Sequence, residues 1–179
     1  AEACFSVQSA FTSIETRLNR LLPLQQQGPQ YLALHDFLFN EYIPSLANIR
    51  RWCELELDSR GQSFNAELTP QERALSPSDF GFHNALKLEN GAVMFVDFEY
   101  SGWDDPAKLI GDFFNQVEIP VPLYYFNFFV QKISSLVADS EEMIKRTKLL
   151  LPLYRIKWCC IILNYFLPLG RVNKDFVAP

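Results

Sequence analysis

Three oxygen-bearing side chains near the middle of the chain, Asp79, Asn84 and Asp97, are of the types that handle phosphoryl groups. One carboxylate can accept the proton of an attacking hydroxyl, while a second carboxylate and an amide oxygen can hold Mg2+ against the phosphates of ATP. Asp79 precedes Asn84 by five residues, in the loop Ser76-Pro77-Ser78-Asp79-Phe80-Gly81-Phe82-His83-Asn84. Asp97 is too far along the chain to join them by spacing alone.

A hairpin can bring it there. Asn90-Gly91 is the dipeptide that a type I′ turn favours, because both of its central residues need positive φ. The flanks Ala85-Leu86-Lys87-Leu88 and Val93-Met94-Phe95-Val96 are strand-like. A two-residue turn predicts Leu88 opposite Val93, Leu86 opposite Phe95 and Asn84 opposite Asp97. On that register Asn84 and Asp97 share a face at the open end of the hairpin, where a hard cation could bind. Asp79 then enters the same cleft.

The elements that must carry this hairpin are helices. Thr12 and Glu15 form a capping-box pattern ahead of Phe11, Ile14, Leu18 and Leu21, which share a helical face as far as Pro23. After the connector Gln25–Gln30, residues Tyr31, Leu34 and Leu38 predict a second helix. Pro44 ends or kinks it before Leu46, Ile49, Cys53 and Leu57 resume, a helical-hairpin pattern. Asp58–Glu67 reads as a loop, and Thr69, Pro70 and Glu72 as a short capped turn. Beyond the hairpin, 106–117, 123–137, 140–151 and 154–167 read as four helices. The predicted fold class is α+β, mainly α, as one domain.

Bulk composition narrows the function. With 179 residues, 49% of them hydrophobic, the chain can bury a sizeable core. A formal net charge of −5 gives no broad basic surface, which speaks against nucleic acid as a partner. Cys4, Cys53, Cys159 and Cys160 fit neither a zinc knuckle nor a disulfide framework, so a reducing cytoplasm is expected. The opening run AEACFSVQSAF lacks the pattern of a secretory signal. Leu149–Leu169 is apolar, but Arg155 and Lys157 sit inside it; it reads as a buried helix, and no membrane is expected.

These residues also resemble a known family. Asp79-Phe80-Gly81-Phe82-His83-Asn84 resembles the D-x-x-x-x-N catalytic loop of aminoglycoside phosphotransferases. Val96-Asp97-Phe98-Glu99-Tyr100-Ser101-Gly102-Trp103 resembles the I-D-[FW]-E-Y-[AS]-G run of choline and ethanolamine kinases, and Asp104-Asp105-Pro106 is similar to the G-D-P that follows. The resemblance covers residues 70–115. It implies a protein-kinase-like C-terminal lobe, with Asp79 as general base or hydroxyl orienter, Asn84 and Asp97 as Mg2+ ligands, ATP as donor and a small-molecule hydroxyl as acceptor. Two positions depart from the family. Pro77 stands where a histidine is usual, and Leu109 where a second aspartate is usual, with Asp112 one turn on as a substitute.

Nothing before Leu68 has the glycine-rich strand pair with which such enzymes grip nucleotide. The chain is therefore expected to be the catalytic lobe of a longer polypeptide, with the N-terminal lobe of the same polypeptide as its partner. Two other readings stand beside this one: a pseudokinase or binding module without catalysis, and a helical interaction domain with no cleft at Asp79 and Asp97. His83 and Glu99 are candidates for phosphate and cationic-substrate contact or for structural bonding. Trp103 and Trp158 fit core packing more readily than a substrate pocket.

Overall fold

Ser6, not Thr12, opens the first helix. The Ser6 hydroxyl accepts from the Ser9 N–H and the Ser9 hydroxyl from the Ser6 N–H, each at 3.0 Å. This box caps α1 (Val7–Leu21). Thr12 lies inside the helix, with its hydroxyl donating to the Gln8 carbonyl at 3.0 Å. In this computed structural model residues 3–24 and 28–168 are described; Ala1 and Glu2, the connector residues Gln25–Gln27 and residues 169–179, which include the Leu169 end of the apolar run, lie outside them.

The predicted hairpin around Pro44 is instead one helical run. α2 (Pro29–Phe37) passes through a π-turn at Leu38–Tyr42 into α3 (Ile43–Ser59), and the backbone stays right-handed throughout. A proline lacks an N–H and its ring crowds the carbonyl four residues back, so a wider turn just before it accommodates the ring without breaking the rod.

A proline-split pair was likewise predicted at the C-terminal end, and it too is continuous. α6 (Ser140–Leu163) carries Pro152 in its interior. An interior proline costs about 3 kcal/mol, whereas each buried leucine contributes roughly 1.5–3 kcal/mol. Leu149, Leu150, Leu153 and Tyr154 are all buried around it, so burial wins. By length and composition Ser140–Phe166 could cross a membrane, with mean hydropathy 1.3 and 39% of that window buried. In the fold α6 is the central helix, packed on α1, α3, α4 (Pro106–Asn115) and α5 (Phe126–Ser134).

Two apolar clusters result. One joins α1, α2 and α3 to α6, and the other gathers Ile110, Phe113, Phe114, Phe126, Val130 and Met143 from α4, α5 and the start of α6. Between the helical halves lie two antiparallel ladders of three residues per strand. β1 (Ala74–Ser76) pairs with β4 (Gly102–Asp104), and β2 (Ala85–Lys87) with β3 (Val93–Phe95). The chain is thus a mainly helical α+β protein. The β1–β4 ladder has no short-range signal, because its strands are distant in sequence.

α4 lies so close on α6 that only glycine fits at one contact. A Cβ on Gly111 would sit 2.7 Å from the Tyr154 Cβ and Cγ, atoms near the backbone that cannot swing away. Glycine to alanine inside a helix ordinarily stabilises by about 0.5–1 kcal/mol. Here overpacking reverses the sign, and Gly111→Ala is expected to lower the unfolding free energy by about 1–3 kcal/mol in a urea titration.

Candidate functional site

The loop bearing Asp79 leaves β1 and is folded down by its own neighbours. Ser76 Oγ accepts the Ser78 N–H at 3.1 Å. The Phe80 ring packs at 4.7 Å from Phe95 and 5.0 Å from Phe113, and Phe82 lies 5.4 Å from Phe113. Phenylalanines on either side of Gly81 therefore pin the loop to the hairpin and to α4. Asn84 donates through Nδ2 to the Asp79 carbonyl at 3.0 Å, which closes the loop. His83 Nε2 is 3.1 Å from Asp79 Oδ1. A carboxylate only accepts, so the ring donates through Nε2–H, and its buried Nδ1 has no partner.

The hairpin register differs by one residue from the two-residue-turn expectation. Ala85 faces Phe95, Leu86 faces Met94 and Lys87 faces Val93. Leu88 N–H donates to the Ala92 carbonyl at 2.8 Å and Gly91 N–H to the Leu88 carbonyl at 2.9 Å, so the loop is Glu89-Asn90-Gly91. Gly91 alone takes positive φ, at 82°. This is the three-residue connection, a type I turn followed by a left-handed glycine, and it is supported by Asn90 Oδ1 accepting the Ala92 N–H at 3.0 Å. Asn84 consequently faces Val96, whose N–H donates to the Asn84 carbonyl at 2.9 Å, and not Asp97.

Asp97 leaves the ladder in the left-handed region, at φ 64°, and Ser78 does so at 74°. Among the described residues these are the two non-glycine positions with positive φ. Each costs on the order of 1 kcal/mol or more, and such strain tends to collect at functional sites. One is Asp97 itself and the other immediately precedes Asp79. Asp97 is exposed, and its carboxylate accepts no hydrogen bond from the described residues.

A charged cleft of about 350 Å3 borders the loop, with Asp79, His83, Lys108, Asp112, Lys157 and Trp158 in its wall. Neither Asn84 nor Asp97 lines it. The cleft rests on a buried network. Asp104 pairs with Lys108, while Lys157 Nζ donates to both Asp112 oxygens at 2.6 and 2.8 Å and Trp158 Nε1 to Oδ1 at 2.9 Å. Burial alone would lower the Lys108 pKa, but Asp112 and Asp104 outweigh it and hold the pKa above the ordinary lysine value. Asp112 is held by Lys157 and Trp158 in the cleft wall, and Leu109 is buried. Lys108 and Lys157 escaped the sequence reading, although Asp104, Lys108 and Asp112 recur at every fourth residue, the spacing of a charged helix face.

The other candidates are spread over the fold. Asp105 caps α4 by accepting the Ala107 N–H at 2.8 Å and holds Arg146 at 2.8 Å. The Glu99 carboxylate raises the pKa of Tyr100, next to it in the chain. Trp158 lines the cleft, whereas Trp103 is exposed on β4. His35 bonds the Leu24 carbonyl at 2.6 Å. Burial pushes the Cys4 thiol up to about 11 and Cys53 to about 12, which suits small apolar packing rather than reactivity.

The hairpin end carries the two expected Mg2+ ligands, Asn84 and Asp97, which do not face each other across the ladder. Among the described residues no group of three His, Cys, Asp or Glu side chains could hold a metal. Mg2+ commonly takes only one or two carboxylates, with water and substrate phosphates completing its shell. Asp97 offers a free carboxylate, and Asn84 keeps its amide oxygen because Nδ2 is the atom bonded to Asp79.

The backbone at Asp97 supplies a test. Asparagine tolerates the left-handed region and valine does not. Asp97→Asn should leave the unfolding free energy within about 0.5 kcal/mol of the parent, and Asp97→Val should lower it by about 1–2 kcal/mol, as measured by denaturant titration.

Compared with known proteins, the sequence matches no protein-family model and none of the curated proteins.

Proposed function

We propose that the chain is the catalytic lobe of an ATP- and Mg2+-dependent phosphotransferase acting on a hydroxyl of a small molecule such as a sugar, amino sugar or amino alcohol. In this reading Asp79 takes or orients the hydroxyl proton, and Asn84 and Asp97 hold the cation that neutralises phosphate charge. The observation that carries it is the placement of left-handed strain, with Ser78 and Asp97 adopting positive φ beside and at the two candidate carboxylates.

A second lobe of the same polypeptide would grip the nucleotide. The exposed apolar side chains Leu75, Leu86, Val93, Met94 and Trp103 support this, since strands of three residues are marginal alone and gain from a covering surface. A non-catalytic binding module is the second reading. It is favoured by one fact, that the charged cleft is bordered by Asp79 but by neither candidate metal ligand.

Titration of the 179-residue chain with Mn2+ and ATP separates the two. Amide resonances of Asn84 and Asp97 should broaden selectively, with an apparent Kd weaker than about 1 mM, and Asp97→Asn should abolish the effect. A micromolar Kd would overturn the two-lobe account, and unbroadened Asn84 and Asp97 signals would overturn the metal assignment. In a protein carrying both lobes, Asp97→Asn should lower turnover by on the order of a hundredfold; wild-type turnover would remove Asp97 from the mechanism.

A further inference from the structure

Beside the charged cleft lies a second cavity of about 350 Å3, within the roughly 300–1,000 Å3 range of small-molecule sites. Its wall is aromatic, formed by Phe82, Phe113, Phe114, Tyr125, Phe128 and Phe129, together with Val121 and two prolines. The rings are ordered by mutual packing. Phe113 and Phe129 stack at 4.6 Å with planes 8° apart, and Phe114 meets Phe126 edge-on at 5.3 Å.

This cavity and the charged cleft share two walls. The loop 79–83 presents Asp79 and His83 to the cleft and Phe82 to the aromatic cavity. The segment 112–120 does the same, with Asp112, Gln116 and Glu118 lining the cleft and Phe113, Phe114 and Pro120 the cavity. Asp79 and Phe82 are three residue steps apart, a span of at most about 11 Å. The two cavities are therefore neighbours on either side of one wall.

Charge selects the class of group that fits. Aromatic cavities often suit quaternary ammonium ions, but here no carboxylate lines the wall. The charged group recorded against one of its rings is the Lys132 ammonium, 5.6 Å from the centre of the Phe128 ring. That charge repels a cation and is indifferent to a neutral group.

We propose that the acceptor is an amphiphile, with a hydroxyl-bearing head in the charged cleft at Asp79 and an uncharged aromatic or branched-alkyl group in the neighbouring aromatic cavity. The head assignment rests on the phosphotransferase reading; the apolar subsite rests on the cavity itself. It narrows the acceptor away from fully polar sugars and away from choline-like cations.

The test uses the full 179-residue chain and three probes, namely 3-phenylpropan-1-ol, phenyltrimethylammonium and glycerol, followed by amide chemical shifts. The alcohol should shift residues 113–129 together with Asp79 and His83, saturating in the millimolar range appropriate to a fragment of about ten heavy atoms. The ammonium ion should bind at least about tenfold more weakly, and glycerol should give no saturable shift in 113–129. Phe128→Glu and Tyr125→Ser, both at exposed positions that need not disturb the core, should each weaken the alcohol about tenfold and leave the Mn2+–ATP broadening at Asn84 unchanged. Equal or tighter binding of the ammonium ion overturns the proposal, as does a saturable shift confined to 113–129 that never reaches Asp79. Loss of probe binding on self-association of the chain would assign the cavity to a second copy and also overturn it. Saturable alcohol binding with no Mn2+–ATP effect would retire the phosphotransferase reading while leaving the apolar ligand class in place.

Discussion

Two carboxylates and two lysines, each less than a tenth exposed, meet where α4 packs on α6. Charges taken out of water stabilise a fold only when each finds its partner, and stranding one costs about 3–5 kcal/mol. This requirement fixes how α4 sits on α6, since Asp112 must meet Lys157 while Lys108 reaches Asp104. It also ties in the start of the chain, because Asp104 accepts the Cys4 N–H at 3.0 Å. The close Gly111–Tyr154 approach is the apolar counterpart of the same contact. The wall of the charged cleft formed by Lys108, Asp112, Lys157 and Trp158 depends on that register.

On this base the candidate loop is held by aromatic packing rather than by regular structure. Its polar residues can remain exposed because Phe80 and Phe82 hold the backbone down on Phe95 and Phe113. A short loop stabilised in this way can sustain a strained dihedral at Ser78, where a freer segment would relax. The α4 phenylalanine on which the loop packs also lines the aromatic cavity, so loop geometry and apolar binding are coupled through Phe113.

The two unsatisfied atoms nearest these features mark where the interior remains polar. Tyr154 Oη is buried without a hydrogen-bond partner, and burial raises its pKa well above the ordinary phenol value. It lies on the helix face that approaches Gly111, where close packing takes precedence over polar satisfaction. His83 Nδ1 is the other, set behind the ring whose Nε2–H serves Asp79.

Local signals were sufficient for most helices. Phe11, Ile14, Leu18 and Leu21 share a face because period 3.6 is written in side-chain type, and Thr69-Pro70-Glu72 caps its turn as read. The loop Asp79–Asn84 and a hairpin at Asn90-Gly91 were legible for the same reason. What local pattern could not decide was anything set by a competition across the fold. Whether Pro44 and Pro152 break their helices depends on how much apolar surface lies on both sides. Whether Asn90-Gly91 makes a two- or a three-residue loop depends on packing of the strands against Phe80 and Phe82. The β1–β4 ladder, the Lys108 and Lys157 ion pairs and the shared walls of the two cavities join residues far apart in sequence. Their contact energies exist only after the chain has closed, so tertiary structure alone decided them.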